Sequence, residues 1–229
     1  MISLIYIVDE KICLFFYQNW PHDESTKIPQ RRFMKSLLLS IAMLSTSAFA
    51  QNKPMVTTYT VDTEKTTVTY VGKKMTGEHT GAVKVKSGNL VFTGPELTGG
   101  EIIVDMNSMS NTDITDAEYQ QKFLTHMKSA DFFDTAKYPE SKLMIKKTKM
   151  VGKDLEVTGD LTMIGQTKPV TFKVTDWKWT DKEVTGKTKV VVDRTVYGLK
   201  YGSSSFFKSL GDKAINNEFT LDINLRATR

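Results

Sequence analysis

The chain has 229 residues, 40% of them hydrophobic and 25% charged, with a formal net charge of +5. That size and apolar share suit one globular domain with extensions, and a single cysteine, Cys13, excludes a disulfide framework. The lysines are spread along alternating segments, as in Lys84/Lys86 and Lys187/Lys189, without clustered arginine or stacking aromatics, which excludes a nucleic-acid partner.

At the N-terminus, Met34-Lys35, an apolar run from Ser36 to Ser45 and Ala48-Phe49-Ala50 have the charged start, apolar middle and small-x-small end of a secretory signal peptide. The run is shorter than the roughly 20 apolar residues a membrane span needs. Residues 34–50 are therefore expected to be removed after Ala50, leaving a periplasmic or secreted protein. Residues 1–33 read either as an over-called translation start, with synthesis beginning at Met34, or as an extended leader. Gln51–Thr57 is a short lead into the domain, which is expected to occupy 51–229.

From Tyr59 the chain repeats one theme, alternation of apolar and polar residues between turn signals. Strands are predicted at Tyr59–Val71, His79–Lys86, Asn89–Thr93, Gly100–Met106 and Tyr138–Met150. Four more follow at Asp154–Ile164, Pro169–Trp179, Glu183–Asp193 and Asn216–Ala227. Ser87-Gly88-Asn89, Gly94-Pro95, Val151-Gly152-Lys153 and Thr180-Asp181-Lys182 are the expected turns. Such regular strands with short links predict an antiparallel sheet.

Three details sharpen that expectation. Pro169 is expected to open its strand, where a missing N–H does least harm. Val170, Phe172 and Val174 hold even positions but Trp177 and Trp179 odd ones, which predicts a β-bulge near Thr175-Asp176 and a sheet bent toward closure. Gly159 interrupts the dry face of Leu155, Val157, Leu161 and Met163. It is expected on the inner face, where a bulky replacement would cost ligand before fold.

Between the strands, Asp116 to Lys128 has helical spacing in Tyr119, Phe123, Leu124 and Met127, with Thr115 or Asp113 able to cap it. Ser129–Phe133 reads as a second short turn. A lone helical insertion, about 116–133, usually lids a barrel or packs on its outside.

Chemistry-bearing motifs are few. His79 and His126 lie in different elements without metal-ligand spacing. There is no Gly-x-Ser-x-Gly elbow, Walker A loop or Gly-x-Gly-x-x-Gly, and Asp131/Asp134 read as a capped turn. Met75, Met106, Met109, Met127, Met144, Met150 and Met163 suit either core gap-filling or a wall that adapts to a changeable apolar guest. Tyr197–Phe207 mixes aromatics with mobile glycines, as a cavity-mouth loop or an ordinary connection would.

Several stretches in order carry a family resemblance: Tyr59-Thr60-Val61-Asp62, Lys122-Phe123-Leu124, Asp131-Phe132-Phe133-Asp134 with Lys137-Tyr138-Pro139, Gly159-Asp160-Leu161-Thr162-Met163-Ile164-Gly165-Gln166-Thr167-Lys168-Pro169-Val170, and Asp193-Arg194 with Tyr197-Gly198. The chain resembles the YceI-like family of exported polyisoprenoid-binding proteins, departing from its pattern in Leu199–Lys208. The resemblance implies an all-β, eight-stranded antiparallel lipocalin-like barrel holding a polyisoprenoid, an isoprenoid quinone or a fatty amide. The alternation predicts nine strand pieces, so on this reading Asn89–Thr93 continues a neighbour or one piece is not a strand.

The chain is therefore expected to be an exported carrier or reservoir, not an enzyme, with no cofactor or metal beyond a bound isoprenoid or fatty lipid. Met163, Phe172, Trp177 and Phe219, with Phe132 and Phe133, are the candidate apolar lining. Tyr138, Tyr197 and Arg194 are the candidate contacts for a head group. The expected partners are a lipid-like small molecule and, through the lysines, transient contact with a membrane surface; a homodimer is compatible with the sequence. The alternatives are an enzyme acting on an amphiphile with His126 as general base, and an interaction module that holds nothing.

Overall fold

The computed structural model describes residues 54–229; the expected signal peptide and the segment before it lie outside them. Nine strands and one α-helix follow in chain order: β1 (Val56–Val61), β2 (Thr67–Lys74), β3 (Gly77–Thr93), β4 (Glu96–Asn111), α1 (Ala117–Lys128), β5 (Glu140–Val151), β6 (Asp154–Met163), β7 (Gln166–Trp179), β8 (Glu183–Asp193) and β9 (Ile215–Thr228).

Strands β2 to β9 pair antiparallel with their sequence neighbours, and β9 returns to pair with β2, so eight strands close a ring. Closure leaves no long free edge. The ninth strand, β1, shares a slot with β2: both lie between β3 and β9, with β2 on Gly77–Val83 of β3 and β1 on Asn89–Thr93. The join is made at Thr66, whose buried hydroxyl donates to the Arg226 carbonyl and accepts from the Arg226 N–H, both at 3.1 Å. Asp62 tightens the same corner by accepting from the backbone N–H of Glu64 and Lys65.

This arrangement corrects two sequence-based boundaries. Tyr59–Val71 is two strands, broken at Asp62–Thr66, and Ser87-Gly88-Asn89 is no turn but the middle of β3, joining His79–Lys86 to Asn89–Thr93. Gly88 marks a close approach: a Cβ there would lie 2.8 Å from a Val61 methyl and 3.0 Å from the Glu101 carbonyl oxygen.

The β6–β7 hairpin turns on Ile164-Gly165, with φ of 40° and 74°, the left-handed pair expected of a two-residue hairpin loop. Strand β7 consequently starts at Gln166, and Pro169 is its fourth residue rather than its first. Proline is tolerated there because the β7–β8 ladder covers only Val174 to Trp179 of β7. Nearer the hairpin the two strands part, and Tyr197, Met163, Val190 and Val192 pack into the seam. The register of β7 slips between Thr175 and Lys178, with Asp176 at φ 51°, which is the expected bulge.

Along β6, Leu155, Val157 and Gly159 are buried while Glu156, Thr158 and Asp160 alternate with them. Apolar-in and polar-out is the reverse of a barrel whose outer wall faces lipid. One end of the interior is solid. Tyr59, buried and hydrogen-bonded to the Thr180 carbonyl at 2.7 Å, stands edge-on to Phe92, which stacks on Trp177 and Trp179. Leu90, Val184 and Ala227, all wholly buried, complete this plug.

The other end carries α1. Its N-cap is Asp116, not Thr115 or Asp113: the Asp116 carboxylate accepts from the Tyr119 N–H at 2.7 Å. No residue of α1 is fully buried, as suits a helix laid across an opening.

Candidate functional site

Between the aromatic plug and α1 lies a cavity of about 400 Å³, within the usual range of small-molecule sites. Its walls are the inward side chains of the strands, among them Val68, Val85, Leu143, Leu161, Leu221 and Ile223. Its roof is the inner face of α1, Phe123, His126 and Met127, continued by Phe132, Phe133 and Tyr201.

The roof is held by aromatic and polar contacts. The His79 ring lies 4.6 Å from that of Phe123, and His126 meets Phe132 and Tyr201 edge-on at 5.0 and 4.8 Å. His126 Nε2 is 3.3 Å from Asp131. The Gln120 side chain donates to the carbonyls of Asn111 and Ile114, both at 3.1 Å, tying the helix to the end of β4.

Asp113 organises the corner beneath α1. It accepts from the Thr80 N–H, from the Asn111 amide and from His79 Nδ1 at 2.7–2.8 Å. Burial alone would raise the carboxyl's pKa, but these hydrogen bonds and the neighbouring imidazole outweigh it and hold it below its ordinary value. Next to it, the Tyr70 hydroxyl donates to the Ser110 carbonyl at 2.7 Å, its ring crossing Gly81, where a Cβ would collide with the hydroxyl. Desolvation, helped by the Asp113 charge, pushes the Tyr70 phenol up to about 12.

Six of the nine expected site residues line the cavity: Phe132, Phe133, Met163, Phe172, Arg194 and Phe219. Three do not. Trp177 belongs to the plug, because the bulge turns it onto Phe92 and Gly186. Tyr138 lies over Gly165, whose absent Cβ would sit 2.9 Å from its ring, and faces an outer groove. Tyr197 fills the β7–β8 seam and borders that same groove, its phenol pKa raised by burial.

Arg194 is bound within the protein and, among the described residues, makes no ion pair. Its guanidinium, 5% exposed, donates to the carbonyls of Asn216 (2.9 Å), Leu199 (2.6 Å), Tyr201 (2.9 Å) and Ile215 (3.1 Å). Desolvation lowers its pKa, opposed by Asp193. Its planar fork holds both feet of the 199–215 connection.

Sequence reasoning passed over Tyr70, His79, Phe123 and Tyr201 as lining. Phe123 and Tyr70 carried a usable signal, since each lies on the apolar face of its element. His79 carried none, because its place depends on pairing with Asp113 across two strands. Gly159 lies on the inner face, but the space is taken by β5: a Cβ would meet the Met144 carbonyl and Leu143. Among the described residues no group of three or more His, Cys, Asp or Glu could hold a metal.

Comparison with known proteins agrees with this architecture. The model of the YceI-like domain matches residues 59–227. A UPF0312 protein of Pseudomonas putida is 42% identical over 96 residues, which is 42% of this chain and 47% of that protein. Protein YceI of Escherichia coli is 38% identical over 93 residues, 41% of this chain and 46% of its own length. The chain thus spans about half the length of the curated relatives it matches. Among solved structures, BcnA of Burkholderia cenocepacia superposes with a TM-score of 0.56 at 23% identity, covering 73% of this chain and 99% of that one. A polyisoprenoid binding domain from Saccharophagus degradans gives 0.54 at 17% identity, covering 74% and 97%. At these identities the two structures show a shared fold. With the closed eight-stranded barrel, the helix α1 across its opening and a domain match running from Tyr59 to Ala227, the chain belongs to the YceI-like domain family.

Proposed function

We propose that this protein is an exported carrier or reservoir that holds a long apolar or amphiphilic molecule inside its barrel. The observation that carries the reading is the cavity itself: an apolar chamber under a helical roof, above an end already filled by Tyr59, Phe92 and Trp177. The shared fold of a domain described as polyisoprenoid-binding supports the ligand class. The ligand is a polyisoprenoid, an isoprenoid quinone or a fatty amide, with its tail against Phe172, Met163 and Phe219. Since Arg194 spends its donors on backbone carbonyls, the polar end meets His79, His126 and the rim lysines Lys73 and Lys74 instead.

Energetics favour carriage over trapping. Each buried CH₂ is worth about 0.8 kcal/mol against water, so a tail of about 20 carbons gains roughly 16 kcal/mol gross. A lipid already in a bilayer has most of that gain, so its transfer into the barrel is close to balanced and reversible. Organic extraction and mass spectrometry of protein purified without detergent should return a stoichiometric lipid. Protein that yields none, and takes up none from lipid mixtures, would refute the reading.

A further inference from the structure

We propose that the cavity rim is a docking surface for an anionic bilayer, built from the connection between β8 and β9 and the adjoining β2–β3 turn. The proposal rests on the reading of the barrel as a lipid carrier and names where it meets its source of cargo. The connection is ordered from within. Ser203, wholly buried, donates through its hydroxyl to Asn217 at 2.7 Å, and its carbonyl accepts from the N–H of Phe206 and Phe207 at 3.1 and 2.9 Å. This tight turn presents Phe206 and Phe207 outward, 49% and 48% exposed.

Two exposed phenylalanines side by side on a hydrogen-bonded turn are costly in water, and they do not stand alone. The Met75 N–H donates to the Ala214 carbonyl at 3.2 Å, which fastens the β2–β3 turn to the connection, and Met75 is itself 68% exposed. The two segments, residues 73–78 and 199–214, carry five lysines, Lys73, Lys74, Lys200, Lys208 and Lys213, against the acids Glu78 and Asp212. Lys200 Nζ stands 4.8 Å over the Phe206 ring. Exposed apolar side chains on lysine-rich segments suit an interface of acyl chains beneath anionic head groups. The same connection reaches the chamber: Leu199 and Tyr201, with Ile215 where β9 begins, line the cavity. Docking there points the opening at the bilayer.

The test compares the full chain with F206S/F207S by amide hydrogen exchange, with and without vesicles of phosphatidylglycerol and phosphatidylethanolamine. Both proteins carry the same N-terminal segment, so the readout is taken at residues 201–210. Exchange there should slow by about fivefold or more on anionic vesicles in the parent, remain unchanged on phosphatidylcholine alone, and show no slowing in the variant. Unchanged exchange in the parent overturns the proposal. So does slowing that appears without vesicles as protein concentration rises, which assigns the rim to a second copy of this chain. Uptake of a dansylated fatty acid in vesicle-free solution reads the cavity separately and confirms that the variant is folded. Loop protection without uptake removes the carrier and leaves the docking surface; uptake without protection removes the docking surface alone.

Discussion

A Cβ on Gly159 would lie 2.6 Å from the carbonyl oxygen of Met144 on the neighbouring strand. The glycine exists for the backbone beside it, at the point where the β5–β6 register slips between Ile145 and Lys147. Gly159→Ala should therefore destabilise the barrel by about 1–3 kcal/mol, the usual cost of overpacking, while lipid uptake per folded molecule stays unchanged. Urea unfolding and probe titration of the same samples separate the two effects; lost uptake with unchanged stability would show the reverse.

Leu221, on β9, bridges the plug and the chamber from the cavity wall. Leu221→Trp places an indole in empty volume. Bound lipid should fall by about tenfold, equivalent to roughly 1.4 kcal/mol of affinity, with little change in the urea midpoint. Extraction and mass spectrometry give the occupancy.

Arg194→Lys keeps the charge but loses the fork that spans four carbonyls. Leaving buried acceptors without donors costs about 1–3 kcal/mol each, so a loss of about 3 kcal/mol is expected. Hydrogen exchange should quicken across residues 199–216 before it does in β5 or β6.

The lowered pKa of Asp113 sets a pH dependence. Its contribution to stability is complete above the ordinary carboxylate value of about 4 and is lost as pH falls through the lower folded value. Urea stability measured toward acid should decline less steeply in Asp113→Asn, which begins lower at neutral pH. Tyr70 acts at the other extreme: with its phenol raised to about 12, its contribution is full below about 10 and lost as pH climbs toward 12. Tyr70→Phe should remove that alkaline decline.

Much of this architecture was legible in the alternation of apolar and polar residues. The β6–β7 hairpin, the bulge before Trp177 and α1 follow from periodicity, because each is decided by near neighbours in sequence. Gly88 and Pro169 misled because their local preferences, for a turn and for a strand start, are overridden by partners far along the chain: Val61 packs on one, and the parting of β8 leaves room for the other. The cavity was half legible. Inward residues could be named, yet periodicity says which way Trp177 points and not how deep it lies, and depth separates plug from chamber. The carbonyl cage around Arg194 was invisible, since backbone acceptors have no signature in side-chain sequence.

The parting of β7 and β8 gives the wall an uneven strength. Over Val174–Trp179 of β7 the two strands are zipped by backbone bonds, whereas nearer the hairpin the wall is closed by the packing of Tyr197, Met163, Val190 and Val192. Separating those side chains breaks no ladder, so the wall opens here at less cost than where its strands are paired. A guest longer than the chamber then has a slot to leave by, lengthwise along the barrel, without the zipped strands letting go.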